Sequence, residues 1–341
     1  MTRHKTWAAK ILAIASATAS ATLVGGCGAD IASADAATDS ANEGASRRDG
    51  GPKETKDVAV QDVEAAALAD INAPEIVSVR RPFLVGSSMR VASAAVRDDW
   101  SEELPPAKGL DEVVRGALAR AWLDDGLQEH ASIAAFARFA MLMLGVGAPS
   151  DLVIAAQRAA IDEVRHARAC FSLARRYGAK ETGPGALRVD DALGPMTLAE
   201  LAALTAEEGC VGETLGVLLA EEQAAIARDP VVRPRLARIA RDEAVHAELA
   251  WRFVAWAVAS RGEQVLGAVE ASITRALATT LAMEVLPLRV DALAWAAHGR
   301  LSCAEARAVA TRGASEIVLP ALRALRARPG LQRLSSGVAH A

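Results

Sequence analysis

Two short stretches of this chain hold the residue types that do chemistry. Residues 159–170 run AAIDEVRHARAC and residues 239–251 run IARDEAVHAELAW, so Asp-Glu-x-x-His-Ala occurs twice in a sequence with six histidines among 341 residues. Residues i and i+3 of an α-helix share a face about one turn apart. Glu163 with His166, and Glu243 with His246, can therefore each point one carboxylate and one imidazole into common space. Each motif follows a turn signal, VGAPS before the first and RDPVVRP before the second. Counting back a similar distance from those turns leads to Glu129 and Glu213. A register of 84 residues supports the match, placing Asp124 on Glu208, Glu129 on Glu213 and Ile133 on Val217. The unit is a degenerate duplication, Glu…Glu-x-x-His written twice.

One Glu from each of two helices plus Glu-x-x-His from each of two others is the ligand set of carboxylate-bridged dinuclear sites in helix bundles. Four carboxylates offset the charge of two divalent ions, and two imidazoles complete the set while leaving positions open for a small molecule. Oxygen-rich ligands with one His per metal suit iron or manganese better than zinc, which favours closed Cys/His tetrahedra. The predicted metal ligands are Glu129, Glu163, His166, Glu213, Glu243 and His246. Asp162 and Asp242 are placed to accept the outer N–H of the His in the opposite motif, a pairing that metal sites commonly use. Glu208 lies five residues from Glu213, about 140° around a regular helix, so at most one of them is a ligand. Glu213 is favoured, and Glu208 is given a supporting or surface role. His130 points about 100° away from Glu129 and is expected to hydrogen-bond between helices. His298, beside Gly299, is expected to cap a helix end, and Trp122, Trp251, Trp256 and Trp295 are expected in the core.

These residues need long helices to position them. Apolar residues recur at three and four over four stretches, roughly 111–145, 151–177, 197–227 and 231–260, with Gly and Pro gathered at the joints. Ser150 and Thr197 are the expected N-caps of the second and third. Short turns make two antiparallel hairpins. The intervening linker of about 19 residues can reach ~60 Å, longer than the ~42 Å of a 28-residue helix. It can therefore run the length of the bundle, which allows the ferritin-like arrangement with one long crossover. Beyond Gly262, helices are expected over 263–285 and, from a Ser302/Glu305 capping box, to about Arg328. Arg323, Arg326 and Arg328 suit the dipole of that last helix.

Ahead of the helices the composition changes. Residues 1–27 have a basic start, a modest apolar stretch and the ending VGGC, the layout of a secretory signal. That ending resembles a bacterial lipobox, which implies lipidation of Cys27 and a soluble, tethered mature chain. Gly28 after the Cys leans toward the outer membrane. Residues 28–56 are too poor in apolar groups to fold and are expected to be a disordered tether. Residues 57–110 are expected to form an extended strap with a small hairpin about GSS, 111–262 the metal-binding bundle, and 263–341 a C-terminal helical extension. A net charge of −4 gives no reason to invoke nucleic acid. Cys170, Cys210 and Cys303 are expected as buried free thiols, and no C-x-x-C is present.

DEVRH and DEAVH, each with a lone Glu upstream, resemble the diiron carboxylate proteins of the ferritin-like superfamily: acyl-carrier-protein desaturases, the methane monooxygenase hydroxylase subunit and the tRNA-modifying hydroxylase. In the last of these an acidic residue also lies five positions before the lone Glu, as Asp124 and Glu208 do here. EHASIAAFARF, DEVRHARACF and EGCVGETLG further resemble uncharacterised bacterial ferritin-like-domain proteins. The resemblance spans about residues 111–260 and implies an all-α, four-helix-bundle fold and a dinuclear iron (or iron–manganese) site. It implies an oxidoreductase acting on O2 or peroxide with an unknown small-molecule substrate or electron donor. The alternative is a non-enzymatic, iron-handling lipoprotein, and self-association into a homodimer is open in either case. The lone tyrosine, Tyr177, lies 14 residues past Glu163, ~21 Å along a helix. That disfavours a tyrosyl-radical role, and the absence of rubredoxin-type cysteines disfavours a self-contained rubrerythrin.

Overall fold

The computed structural model describes residues 4–17, 81–86, 88–179, 182–282 and 284–328. The chain divides into two units, and one of them, Ser20–Asp70, lies wholly outside the described residues. Cys27, the tether over 28–56 and the strap as far as residue 80 therefore fall outside them. The other unit is mostly helical, as the periodicity predicts.

Its longest helices are the four expected. α2 (Glu112–Gly145) follows α1 (His4–Ser16) and begins at Asp111, whose carboxylate accepts the Val114 N–H. α3 (Ser150–Arg176) begins differently from expectation: Pro149 occupies the cap, no side chain bonds the first turn, and Ser150 is already helical. The fixed φ of proline, here −56°, leads the chain straight into the helix without a hydroxyl cap. The third stretch is continuous but not uniform. α4 (Leu198–Thr205) runs into a π-helical segment, π1 (Ala206–Glu213), and then α5 (Thr214–Ile226). Thr197 and Glu200 form a full capping box at its start. α6 (Val232–Arg261) begins where Asp229 accepts the N–H groups of Val231 and Val232, and it stops at Gly262 with φ of +60°.

α2 packs along α3, and π1 and α5 pack on α6. α3 meets α6, which joins the two hairpins along the motif-bearing helices. α7 (Glu263–Ala282) covers α4 and π1. It is followed by a short α8 (Ala292–Ala297) that the sequence did not reveal and that carries the buried Trp295. The Ser302/Glu305 capping box opens α9 (Cys303–Gly313), which continues through π2 (Ala314–Val318) into α10 (Leu319–Arg326).

The expected hairpin is present as β1 (Leu84–Val85) and β2 (Ser88–Met89), with Leu84 opposite Met89. β3 (Ala94–Val96) pairs antiparallel with β4 (Thr182–Pro184) from the interhairpin linker, so strap and linker are tied together. α1 lies against α6 and α10 with Ile11 and Ala15 fully buried. Arg328 does not serve the dipole of its own helix. Its Nε and Nη2 donate to the Ala15 and Ile14 carbonyls at 2.8 and 2.6 Å, and its Nη1 donates to the Ala255 carbonyl at 2.9 Å. Cys170, Cys210 and Cys303 are buried thiols, as expected. Trp122, Trp251 and Trp295 are fully buried, whereas Trp256 is only partly so.

Candidate metal centre

The i, i+3 spacing on α3 and α6 sets Glu163 below His166 and Glu243 below His246, and the contact between the two helices brings both pairs together. α2 supplies Glu129, and the last residue of π1 supplies Glu213. All six side chains are buried, none more than 3% exposed. They form two overlapping groups: Glu129, Glu163, His166 and Glu243, and Glu163, Glu213, Glu243 and His246. Within each group one ligand atom per residue lies within 4.8 Å of every other. Glu163 and Glu243 belong to both.

The imidazoles turn the same edge inward. His166 Nδ1 is 3.6 Å from Glu163 Oε2 and 3.6 Å from Glu243 Oε1. His246 Nδ1 is 3.0 Å from Glu163 Oε1 and 3.4 Å from Glu243 Oε2. Their outer nitrogens face the crosswise aspartates. His166 Nε2 hydrogen-bonds Asp242 Oδ2 at 3.2 Å, while His246 Nε2 is 3.7 Å from Asp162 Oδ2, beyond hydrogen-bond reach. Asp162 also pairs with Arg165, and Asp242 with Arg238. Phe136 packs edge-on against the His246 ring at 5.0 Å between centroids.

So many buried acids require positive charge nearby. Burial favours the neutral form of Glu163, yet the facing imidazoles of His166 and His246 outweigh it and hold the acid down at about 2. Burial also opposes the charge on His166, but Asp242 and Glu163 hold the imidazole up at about 9. Burial opposes the charge on His246 too, but the facing carboxylates of Asp162, Glu163 and Glu243 outweigh it and raise the imidazole well above the ordinary histidine range. Glu213 is pushed well above the carboxylate range by burial and by the neighbouring Glu243. Protons thus do the neutralising in the ion-free protein, and divalent ions would take over that role by displacing them. Glu163 Oε2, His166 Nδ1, Glu213 Oε1, Glu243 Oε2 and His246 Nδ1 have no well-formed hydrogen bond among the described residues, although all are buried. Buried polar atoms are normally satisfied, so this donor set fits metal ions, and the groups can hold them.

Glu208 is placed elsewhere. It is buried, and its carboxylate takes a 2.6 Å hydrogen bond from Arg138 and lies 3.4 Å from Arg81. Glu208 and Glu213 both face inward because the i→i+5 winding of π1 brings residues five apart closer in angle than a regular helix would. Every residue of π1 except Glu207 is buried. Gly209 permits this, since a Cβ there would fall 2.5 Å from that of Ala250 on α6. Asp124, the counterpart of Glu208 in the 84-residue register, is exposed, so the duplication does not extend to that position.

Arg81 and Arg138 were not singled out by the sequence. The Arg81 guanidinium lies between the Phe136 and Phe139 rings at 4.5 and 4.6 Å, so Phe136 separates it from His246. Phe136, Arg138 and Phe139 all lie in EHASIAAFARF, but their partners are distant in sequence and no local spacing marks them. His130 does not make the interhelical hydrogen bond expected of it: its ring stands edge-on to Trp100 at 5.1 Å, and its Nδ1 has no partner among the described residues. His298 ends α8 as expected and adds a 2.7 Å hydrogen bond to Tyr177 at the far end of α3. No family model, curated protein or solved structure matches this chain.

Proposed function

We propose that the six-residue cluster is a dinuclear iron (or iron–manganese) carboxylate centre in a ferritin-like four-helix bundle. We propose further that the protein is an exported, lipid-anchored oxidoreductase that activates O2 or peroxide. The observation that carries this reading is the convergence of six side chains from four helical stretches, chosen by type and spacing, into two buried groups sharing Glu163 and Glu243. When bound, the metals supply Lewis acidity and redox electrons for a small-molecule oxidant. The chain's own residues do the rest. Glu163 and Glu243 are placed to serve both ions, Glu129 and Glu213 one each, and Asp242 fixes His166 so that Nδ1 faces the carboxylates. Phe136 closes one side of the site to water.

One observation favours the iron-handling alternative. A recess of about 390 Å3 between α3 and α6 reaches His166 through a charged rim that includes Arg165, Arg168, Arg235 and Arg238. Such an opening suits passage of a hydrated ion or an anionic chelate.

The test is metal analysis with optical spectroscopy of the wild type and Glu163→Ala, before and after O2 or peroxide is added to the ferrous form. The wild type is expected to hold two ions per chain, one for each group, and the variant markedly fewer. Equal iron and manganese contents in the two proteins would remove the central claim. Repeated turnover with a chemical reductant supports the oxidoreductase, and a single oxidation followed by metal release supports iron handling.

A further inference from the structure

We infer that the recess beneath the β1–β2 hairpin is a binding site for a small, neutral, mostly apolar organic molecule that serves the centre, and that Glu208 positions its wall. The recess encloses about 340 Å3, at the lower end of the ~300–1,000 Å3 typical of small-molecule sites. The strap provides one side through Pro82, Phe83, Leu84 and Met89, and α7 the other through Ala276, Thr279 and Thr280. Its floor is Gln128 and Ala131 of α2 with Val211 and Gly212 of π1. Gln128 and Gly212 immediately precede Glu129 and Glu213, so the floor is one residue along the chain from two of the six clustered side chains.

The lining selects against charge. Glu207 is at the edge but is taken up by Arg275 Nη2 at 3.2 Å and by Ser272. Arg81 contributes to the lining; its guanidinium is buried between the Phe136 and Phe139 rings with Nη2 3.4 Å from Glu208, and its Nε and Nη1 make no hydrogen bond among the described residues. Gln128, Thr279 and Thr280 remain, offering hydrogen bonds without charge. An ionised ligand would lose its hydration there while the Arg81 charge already faces Glu208, whereas a hydroxyl or carbonyl on an apolar body would be satisfied.

The roof is built rather than incidental. Arg138 bonds Glu208 with one nitrogen and the Leu84 carbonyl with another, while its guanidinium lies over the Phe83 ring at 4.9 Å. Ser132 donates to the Arg81 carbonyl at 2.8 Å. Holding a strap with three buried charges is an expensive alternative to apolar packing, which would also close the space. The arrangement keeps Phe83 and Leu84 fixed over an open volume.

Service as the substrate chamber rests on the dinuclear reading; occupancy of the recess does not. The two are separated by titrating the full-length protein, metal-free and metal-loaded, with 4-(trifluoromethyl)benzyl alcohol followed by fluorine NMR. Saturable binding is expected in both forms, weakened roughly tenfold or more by Thr280→Trp or Ala131→Trp and unchanged in the distant Arg307→Ala. Two filling variants guard against one failing to fold, which circular dichroism checks. Glu208→Gln is expected to weaken alcohol binding while leaving the metal content intact, a split that general destabilisation does not produce. Absence of saturable binding, or equal binding by both folded filling variants, overturns the site. Binding of 4-(trifluoromethyl)benzoate as tight as the alcohol overturns the neutral class, and unaltered affinity in Glu208→Gln overturns its positioning role. In metal-loaded protein the alcohol is expected to perturb the optical spectrum; an unchanged spectrum overturns service to the centre. A protein that binds the alcohol but loads no metal refutes the dinuclear reading and leaves the recess standing.

Discussion

Asp242 connects the candidate centre to the solvent-facing side of α6, because its Oδ2 accepts from His166 while Arg238 Nε approaches the same oxygen at 3.7 Å. Replacing such an outer partner typically weakens metal affinity about 10–100-fold. Asp242→Asn is expected to fall in that range, and Asp162→Asn nearer its lower end because the 3.7 Å gap to His246 is not a formed bond. Competition with a chelator of known affinity measures both, and equal losses would show that the crosswise distances do not matter. The residues of the cluster were legible because helical spacing alone puts Glu and His of each motif on one face, and the turns fix where the partner Glu must lie. Glu208 was only half legible. The 140° separation from Glu213 holds only on a regular helix, and π1 turns both residues inward; Glu208's partners Arg81 and Arg138 come from the strap and from α2, and no local pattern announces a long-range ion pair.

Element boundaries followed the caps wherever a side chain makes them. Thr197/Glu200 and Ser302/Glu305 were readable as capping boxes, whereas Ser150 misled because Pro149 supplies the entry angle by itself. π1 left no sequence signal, since i→i+5 bonding is decided by what the helix packs against. β3 and β4 are three residues each, too short for an alternating pattern to register. Asp229 holds the start of α6: it accepts the Val231 and Val232 N–H groups and a two-pronged bond from the buried Arg176 at 3.0 and 2.9 Å. Asp229→Ala would strand that guanidinium and is expected to cost about 3–5 kcal/mol in urea unfolding at neutral pH. Burial raises the Asp229 carboxyl, but Arg176 and the two N–H groups outweigh it and leave it below the ordinary aspartate range. A depressed acid stabilises the fold above its unfolded pKa of about 3.9 and loses that contribution as pH falls through the lower folded value. The gap between wild type and variant should therefore be full at pH 7 and narrow below about pH 4. A gap constant across that range would mean that the ionised carboxylate is not what stabilises the joint.

Over the whole described unit, one side chain adds a polar clamp to the apolar packing of α1. Arg328 reaches the last carbonyls of α1 and the middle of α6 at once. In the full-length, unprocessed chain, Arg328→Ala removes charge-assisted bonds worth about 1.5–3 kcal/mol each. Amide exchange over residues 4–16 is expected to quicken by roughly ten- to a hundredfold, with the remainder of the protein little changed. Uniform acceleration throughout the protein would show that α1 is not a separately held element.

The same contact sets an order of events during synthesis. Arg328 and Ala15 are 313 residues apart, so at ~5–20 residues per second the ribosome needs roughly a quarter of a minute to a minute to make the second after the first. Until Arg328 is made, α1 exists without its clamp. A factor that acts while the chain is still growing meets α1 without that clamp, and one that waits for completion meets it docked. The fold therefore distinguishes early from late recognition of its own N-terminus.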